Sequence, residues 1–358
     1  MFNTYIKPHF ELQKPIIKDN TFIVWEPCSK NHSEVVPGYV KYLIDLGYHV
    51  SVCVEKEHIK NGLFLRFDKN EKISLNKISS KNLRKFFKKA DLNNVKGVLV
   101  TTVGKLCDNS NYDQAYETFN EATDKNKIYF VEHKAKEAID NNTWKDKIIT
   151  LRQLDYKGAN SVVVNPFYFG ENIKITPKND DITNFVTIGA LRGNKKNSDA
   201  IVDVVKKLHD SGFENFKITV IGKGHLKNIP KEIQKYFDIK GRLSFSKMYD
   251  EIEKADFLLT SYNENNPEHV KYTKYQTSGN FQLIYGFLKP CILLESFAPI
   301  NGFNDKNSIL YSTDYANAMQ KAINMTQDEY KTMQDELKKY VDVLYKSSLE
   351  NLRGLING

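Results

Sequence analysis

Short β-rich apolar runs alternate with helical patterns along this chain, and that alternation restricts its fold more than any other feature. Phe22-Ile23-Val24-Trp25 is the first run, followed by a loop from Glu26 to Asn31. A helical pattern spans His32 to Leu46, with Val35, Val36, Val40, Leu43 and Ile44 recurring at helical spacing. Gly47 closes it, as a glycine placed just after a helix does, and His49 to Val54 is the next strand. This is one strand–helix–strand unit, and repeats of such units build parallel sheets covered by helices.

The same reading predicts strands at Leu63–Phe67, Gly97–Val103, Ile128–Val131, Ile148–Leu151 and Ser161–Val164, with helices at Lys81–Asp91 and Tyr112–Lys125. Residues 171–183 are polar and contain a proline, so they read as a linker. A second series begins with a strand at Phe185–Ile188 and a helix at Ser198–Ser211. Strands follow at Ile218–Ile221, Tyr236–Ile239, Phe257–Thr260 and Cys291–Leu294, with helices at Lys247–Lys254 and Ser278–Leu288. Helical patterns then run from Asp314, broken near Asn324. At 358 residues the chain has room for two domains of about 150 residues each. The predicted division is a domain over 1–170, the linker, a domain over 184–340, and a terminal helix over 341–358 that could pack back on the first domain.

Several classes are excluded. No apolar run reaches the roughly 18 residues that a spanning helix needs, and residues 1–15 lack the apolar core of a signal peptide. The expectation is a cytoplasmic protein. Cys28, Cys53, Cys107 and Cys291 form no CxxC pair, so no zinc or redox motif is signalled. Net charge is +8, with 26 Lys and Arg against 20 Asp and Glu in residues 1–170 and 26 against 24 in the remainder. Such an excess suits an anionic partner. Its densest part, Lys81 to Lys89, would as a helix place Leu83, Phe86, Phe87 and Ala90 on one face and cations on the other. One reading is peripheral contact with the inner face of a membrane; the other is a crossover helix with a solvated basic face.

Ligands of open parallel sheets bind beyond the carboxyl ends of the strands, which selects four segments. Gly189 to Asn197 joins a strand to a helix and carries Arg192 and Lys196, a fork and a point charge suited to phosphate oxygens. Gly222-Lys223-Gly224 ends the next strand, as a ligand contact or simply as a tight turn. Thr277-Ser278-Gly279-Asn280 opens a helix with small side chains and unpaired backbone N–H groups, an anion cradle, and Glu268 lies upstream. His133 stands just past a strand, either to position an acceptor hydroxyl or as a satisfied structural histidine. His32 and Ser33 at the first strand-to-helix junction are weaker acceptor-side candidates. The first unit has SKNHSEVVPG where a dinucleotide-binding fold has GxGxxG, which argues against an oxidoreductase.

Together these features resemble the GT-B glycosyltransferases, two Rossmann-like domains facing across a cleft, and in particular the retaining sugar-nucleotide-dependent enzymes of bacterial surface-polysaccharide synthesis. Leu46-Gly47-Tyr48-His49-Val50 looks like the family's LxxxGHEV ending, and His133 falls where the family carries a strand-end histidine. Gly189 to Lys196 is similar to its diphosphate-binding segment, and Val220 to Gly224 to its strand ending in GxG. Lys240 to Ser244 resembles the stretch whose backbone, near Arg242 and Leu243, holds the base. Gly286 to Ile292 resembles the turn after the donor-binding helix. The family's pair of glutamates seven residues apart is absent: Glu268 stands for the first, and Gln276 or Gln282 falls at the second. The resemblance implies transfer of a sugar from a nucleotide-diphosphate donor to a glycan or lipid-linked acceptor, with retention and without a metal or cofactor. Catalytic roles would fall to His133 and Glu268, and donor binding to Gly189, Arg192, Lys196, Gly222, Gly224, Arg242, Leu243, Thr277, Ser278, Gly279 and Asn280. Nucleic acid is not an expected partner. The alternatives are a sugar-nucleotide 2-epimerase of this fold, or a non-catalytic glycan- or partner-binding module.

Overall fold

In the computed structural model, which describes residues 14–27, 33–102, 127–133, 135–140, 148–189, 198–224, 226 and 229–358, the chain divides into two units. The first comprises residues 1–172 and 344–358, the second residues 173–343. The predicted helix at Tyr112–Lys125 lies outside the described residues.

The first unit is built on β1 (Thr21–Trp25) and β2 (His49–Val54), in which every residue is buried. Such unbroken burial is what central strands of a parallel sheet require. With β3 (Ile73–Lys77), β4 (Val95–Val100), β5 (Ile128–Val131), β6 (Ile148–Thr150) and β7 (Val162–Val163) they form a sheet in the order β3-β2-β1-β4-β5-β6-β7, all pairs parallel. Helix α1 (Val36–Asp45) carries a proline in its first turn, where the missing N–H costs nothing. Gly38 is required there: a Cβ would lie 2.5 Å from the Pro166 backbone. Two shorter helices follow, α2 (Lys56–Lys60) and α3 (Ser80–Phe87), and then α4 (Ala135–Asp140).

Two predictions for this unit fail. Leu63–Phe67 is not a strand but a run of turns, closed by Leu65 N–H to Gly62 O (3.1 Å) and Phe67 N–H to Phe64 O (3.2 Å). Its aromatic rings pack on one another and on Tyr168. The strand beside β2 is instead Ile73–Lys77, whose half-buried alternation includes a buried Asn76 donating to Ser51 Oγ and to the carbonyls of Val52 and Ser74. The helix predicted over Lys81–Asp91 ends at Phe87: Leu83 and Phe87 of α3 are spent on the core, while Lys81 and Lys85 within it and Lys88 and Lys89 in the turn after it are exposed.

In the second unit β8 (Thr183–Ile188), β9 (Phe216–Ile221), β10 (Phe237–Gly241), β11 (Phe257–Leu259), β12 (Cys291–Leu294) and β13 (Ile309–Tyr311) form a parallel sheet in the order β10-β9-β8-β11-β12-β13. Its helices are α5 (Ser198–Asp210), α6 (Phe245–Lys254), α7 (Pro267–Lys274), α8 (Gly279–Phe287), α9 (Tyr315–Asn324) and α10 (Gln327–Asn357). Ile201, Val204, Val205 and Leu208 of α5 and Met319, Ala322 and Ile323 of α9 meet β8 and β9 in one core. β13 and α7 were not anticipated, the first because it is three residues long and the second because its sequence is polar.

Residues 174–179, read as linker, are tied to this unit. The Asp256 carboxylate accepts from the N–H groups of Asn179 (3.0 Å) and Asn184 (2.7 Å). Fully buried Lys289 donates to Thr176 Oγ1 (2.8 Å) and to the Glu253 carbonyl (3.0 Å). Burial lowers the Lys289 pKa to about 8, against the opposing pull of Asp256 and Glu253. The long α10 is shared by the two units. Its terminal part serves the first: Ser348 Oγ accepts from Asn165 N–H (3.1 Å), Asn351 donates to Val163 O (2.9 Å), and Tyr345 packs on Tyr42.

Candidate functional site

The second sheet reverses direction once. From β8 the chain adds β9 and β10 on one side, then crosses to β11, β12 and β13 on the other. The crevice beyond the carboxyl ends of β8 and β11 is therefore the place this topology offers to a ligand. Two neighbouring strands end there in glycine. Gly189 follows β8 with φ of +137°, and Gly222 follows β9 with φ of +150°. A Cβ on Gly222 would fall 1.7 Å from the Gly189 carbonyl oxygen, so only glycine allows the two strand ends to approach. Gly189 N–H donates to Ile221 O (2.9 Å) and Gly222 N–H to Gly241 O (2.8 Å), locking the three strand ends together.

After β11 come Thr260, Ser261 and Tyr262, all buried. Thr260 Oγ1 donates to Ile292 O (2.7 Å). The loop is then clamped by His269 of α7, whose Nδ1 accepts from Asn263 N–H (2.9 Å). That bond places the proton of the neutral ring on Nε2. The chain enters α8 through Ser278, which caps the Asn280 N–H at a long 3.4 Å. Helix α8 links β11 to β12, parallel neighbours, so its start lies at the same carboxyl edge as the glycines. No acid stands in its first turn to neutralise the positive end of its dipole.

The sequence-predicted donor residues fall on this edge. Gly189 follows β8, Gly222 and Gly224 follow β9, Arg242 and Leu243 follow β10, and Thr277, Ser278, Gly279 and Asn280 open α8. Arg192 and Lys196 lie outside the described residues. Glu268 occupies the first turn of α7, where the Asn266 side chain caps its N–H (3.0 Å) and its half-exposed carboxylate pairs with Lys271 (3.0 Å). Gln282 is buried within α8, and Gln276 is half-buried in the connection before it.

The first sheet has its own reversal between β1 and β4. At that edge Glu26, 1% exposed, follows β1, and its Oε2 accepts from Thr101 Oγ1 (2.8 Å) and Thr102 Oγ1 (2.7 Å), which follow β4. Buried His133, just past β5, donates from Nε2 to the Thr101 carbonyl (2.9 Å). A carbonyl can only accept, so the neutral ring carries its proton on Nε2 and its lone pair on Nδ1. Ser33 is buried in the turn before α1, and His32 lies outside the described residues. Sequence reasoning missed Glu26 and Tyr262. Their only signal was position, one residue past β1 and three past β11.

Two switch points, each edged by polar groups, and two parallel sheets with helices define the α/β fold of the GT-B glycosyltransferases. Solved structures of that class match the chain along most of its length. Anabaena HepE in complex with UDP and glucose matches with a TM-score of 0.56 at 9% identity, over 94% of this chain and 100% of that one. An alpha-glucosyltransferase in complex with UDP matches with a TM-score of 0.54 at 11% identity, over 90% and 95%, and an alpha-glucosyltransferase in complex with UDP and a 13-mer DNA with a TM-score of 0.53 at 13% identity, over 93% and 94%. AviGT4, a glycosyltransferase involved in avilamycin A biosynthesis, matches with a TM-score of 0.53 at 11% identity, over 94% and 98%. At such identities the likeness establishes the fold. No family model matches the sequence, and a search of curated proteins finds no match. Among the described residues no helix is long and apolar enough to cross a membrane.

Proposed function

We propose that this chain is a glycosyltransferase that takes a sugar from a nucleotide-diphosphate donor held by the second unit. The observation that carries the reading is the start of α8 at the switch point of the second sheet, beside a glycine edge that a pyrophosphate can approach closely. The positive end of the α8 dipole and the Ser278 hydroxyl, with the Arg192 and Lys196 cations, would offset the charge that builds on the leaving diphosphate. Metal independence is proposed on that ground, and retention of anomeric configuration on the family resemblance alone. The solved complexes of similar fold with UDP support the choice of donor class.

The acceptor is assigned to the carboxyl edge of the first unit, where the Glu26 carboxylate and the His133 ring are of the chemical type that takes a hydroxyl proton. A glycan or lipid-linked acceptor fits the reading. Contact with an anionic membrane would rest on Lys81, Lys85, Lys88 and Lys89, since Leu83 and Phe87 are committed to the core. Glu26 also favours a second reading. A sugar-nucleotide 2-epimerase needs a carboxylate for proton chemistry at its first-unit edge, and here is one.

One assay separates the readings. The protein is incubated with UDP-, GDP-, TDP- and CMP-sugars, with and without lipid-linked, glycan and oligonucleotide acceptors, and products are followed by mass spectrometry. The expected result is release of a nucleoside diphosphate from one donor, accelerated by an acceptor. An epimerised nucleotide sugar without acceptor would establish the second reading, and no turnover of any donor would leave a binding module.

A further inference from the structure

Tyr262 is 7% exposed, and its hydroxyl is shut off from water without a hydrogen-bond partner. Burying a hydroxyl unpaired is unfavourable, and a phenylalanine would fill the same space without that cost. The ring cannot swing out to find water. It stacks on Phe297 (centroids 4.8 Å apart, planes at 20°) and is flanked by Phe281 (5.8 Å), Tyr272 (5.5 Å) and His269 (5.8 Å). The chain thus holds a hydroxyl fixed in place with no present use for it.

Its contact with Phe281, in the first turn of α8, sets Tyr262 beside the start of that helix, where Phe281 N–H donates to Ser278 O (3.1 Å) and Ser278 is the cap. Burial raises the phenol pKa, and the Ser278 hydroxyl acts in the opposite direction, so the two groups are close although no bond of good geometry joins them. Ser278 is itself loosely engaged, capping Asn280 N–H at 3.4 Å, near the limit for such a bond. It stands at the first residue before α8, a helix of nine residues whose start faces the switch point.

We propose that Tyr262 is a positioning residue of the diphosphate site that acts through Ser278. When a nucleoside diphosphate occupies the start of α8, Ser278 donates its proton to a phosphate oxygen, and the Tyr262 hydroxyl donates to Ser278 Oγ. Both hydroxyls then have full use, and a chain of two hydrogen bonds polarises toward the anion. No bond other than hydrogen bonds forms or breaks. The inference rests on the donor reading above, because it supplies the anion.

The test is calorimetry of wild type, Tyr262→Phe, Ser278→Ala and the double variant, each titrated with the nucleoside diphosphate that wild type binds and with the matching nucleoside. Tyr262→Phe is expected to weaken the diphosphate about 3- to 10-fold, the worth of one hydrogen bond, and to leave the nucleoside unchanged. Ser278→Ala should weaken it by as much or more, and the double variant no further than Ser278→Ala, since the tyrosine has lost the group it acts through. Three outcomes overturn the inference: Tyr262→Phe binding the diphosphate as wild type does, equal losses for diphosphate and nucleoside, or losses that add in the double variant. Wild type that binds none of UDP, GDP, TDP or CDP would overturn the donor reading as well, which distinguishes the two failures.

Discussion

Gly222→Ala is expected to destabilise the second unit by about 3 kcal/mol or more, the scale of overpacking and backbone strain combined. The added Cβ would sit 1.7 Å from the Gly189 carbonyl oxygen and 2.6 Å from its carbonyl carbon. Neither atom belongs to a flexible side chain. Gly189 is tied by its N–H to Ile221 and Gly222 by its own to Gly241, so relief means parting β8 from β9 at the centre of the sheet. Gly212→Ala is the control. That glycine also has positive φ, +81°, but a Cβ there meets nothing within 4 Å. Its cost should be the conformational penalty alone, about 1–2 kcal/mol. Urea unfolding followed by a probe in the second unit measures both. Equal effects would mean that the close approach of the two strand ends does not exist in solution.

The second large effect concerns Arg192 and Lys196. Replacing both by alanine is expected to lower kcat/KM for the donor by about 10³-fold, since removing a single preorganised charge-stabilising group costs about 10²–10³ in rate. In sequence both fall between Gly189, just after β8, and Ser198, where α5 begins. The loss should fall mainly on kcat, because charge on the diphosphate grows as the glycosidic bond breaks. The folded state should be unaffected, with circular dichroism and melting as for wild type. A double variant with full activity would remove these cations from the mechanism.

Much of the fold was legible because parallel sheets write themselves into sequence as buried apolar runs. Phe185–Ile188, Ile218–Ile221 and Cys291–Leu294 are such runs, and each lies within a strand. The misreadings occur where that signal fails. Leu63–Phe67 is apolar but short, and periodicity cannot tell a strand from buried turns over so few residues. Ile73–Lys77 carries a serine and an asparagine, and its asparagine is buried only because β2 supplies the acceptors. The glycine edge was legible as glycines but not as a close approach, which needs two loops 33 residues apart to meet. Glu26 and Tyr262 were illegible for the same reason. A carboxylate beside two threonines 75 and 76 residues away, or a hydroxyl left unpaired among four rings, exists only once the chain has folded.

Hydrogen–deuterium exchange with and without the bound nucleoside diphosphate tests most directly whether the second unit's switch point holds the donor. Slowed exchange is predicted at the backbone amides of 222–224, 242–244 and 278–281, and is not predicted at 26–27 or 101–102. Protection confined to the first unit, or none under saturating nucleotide, would contradict the account.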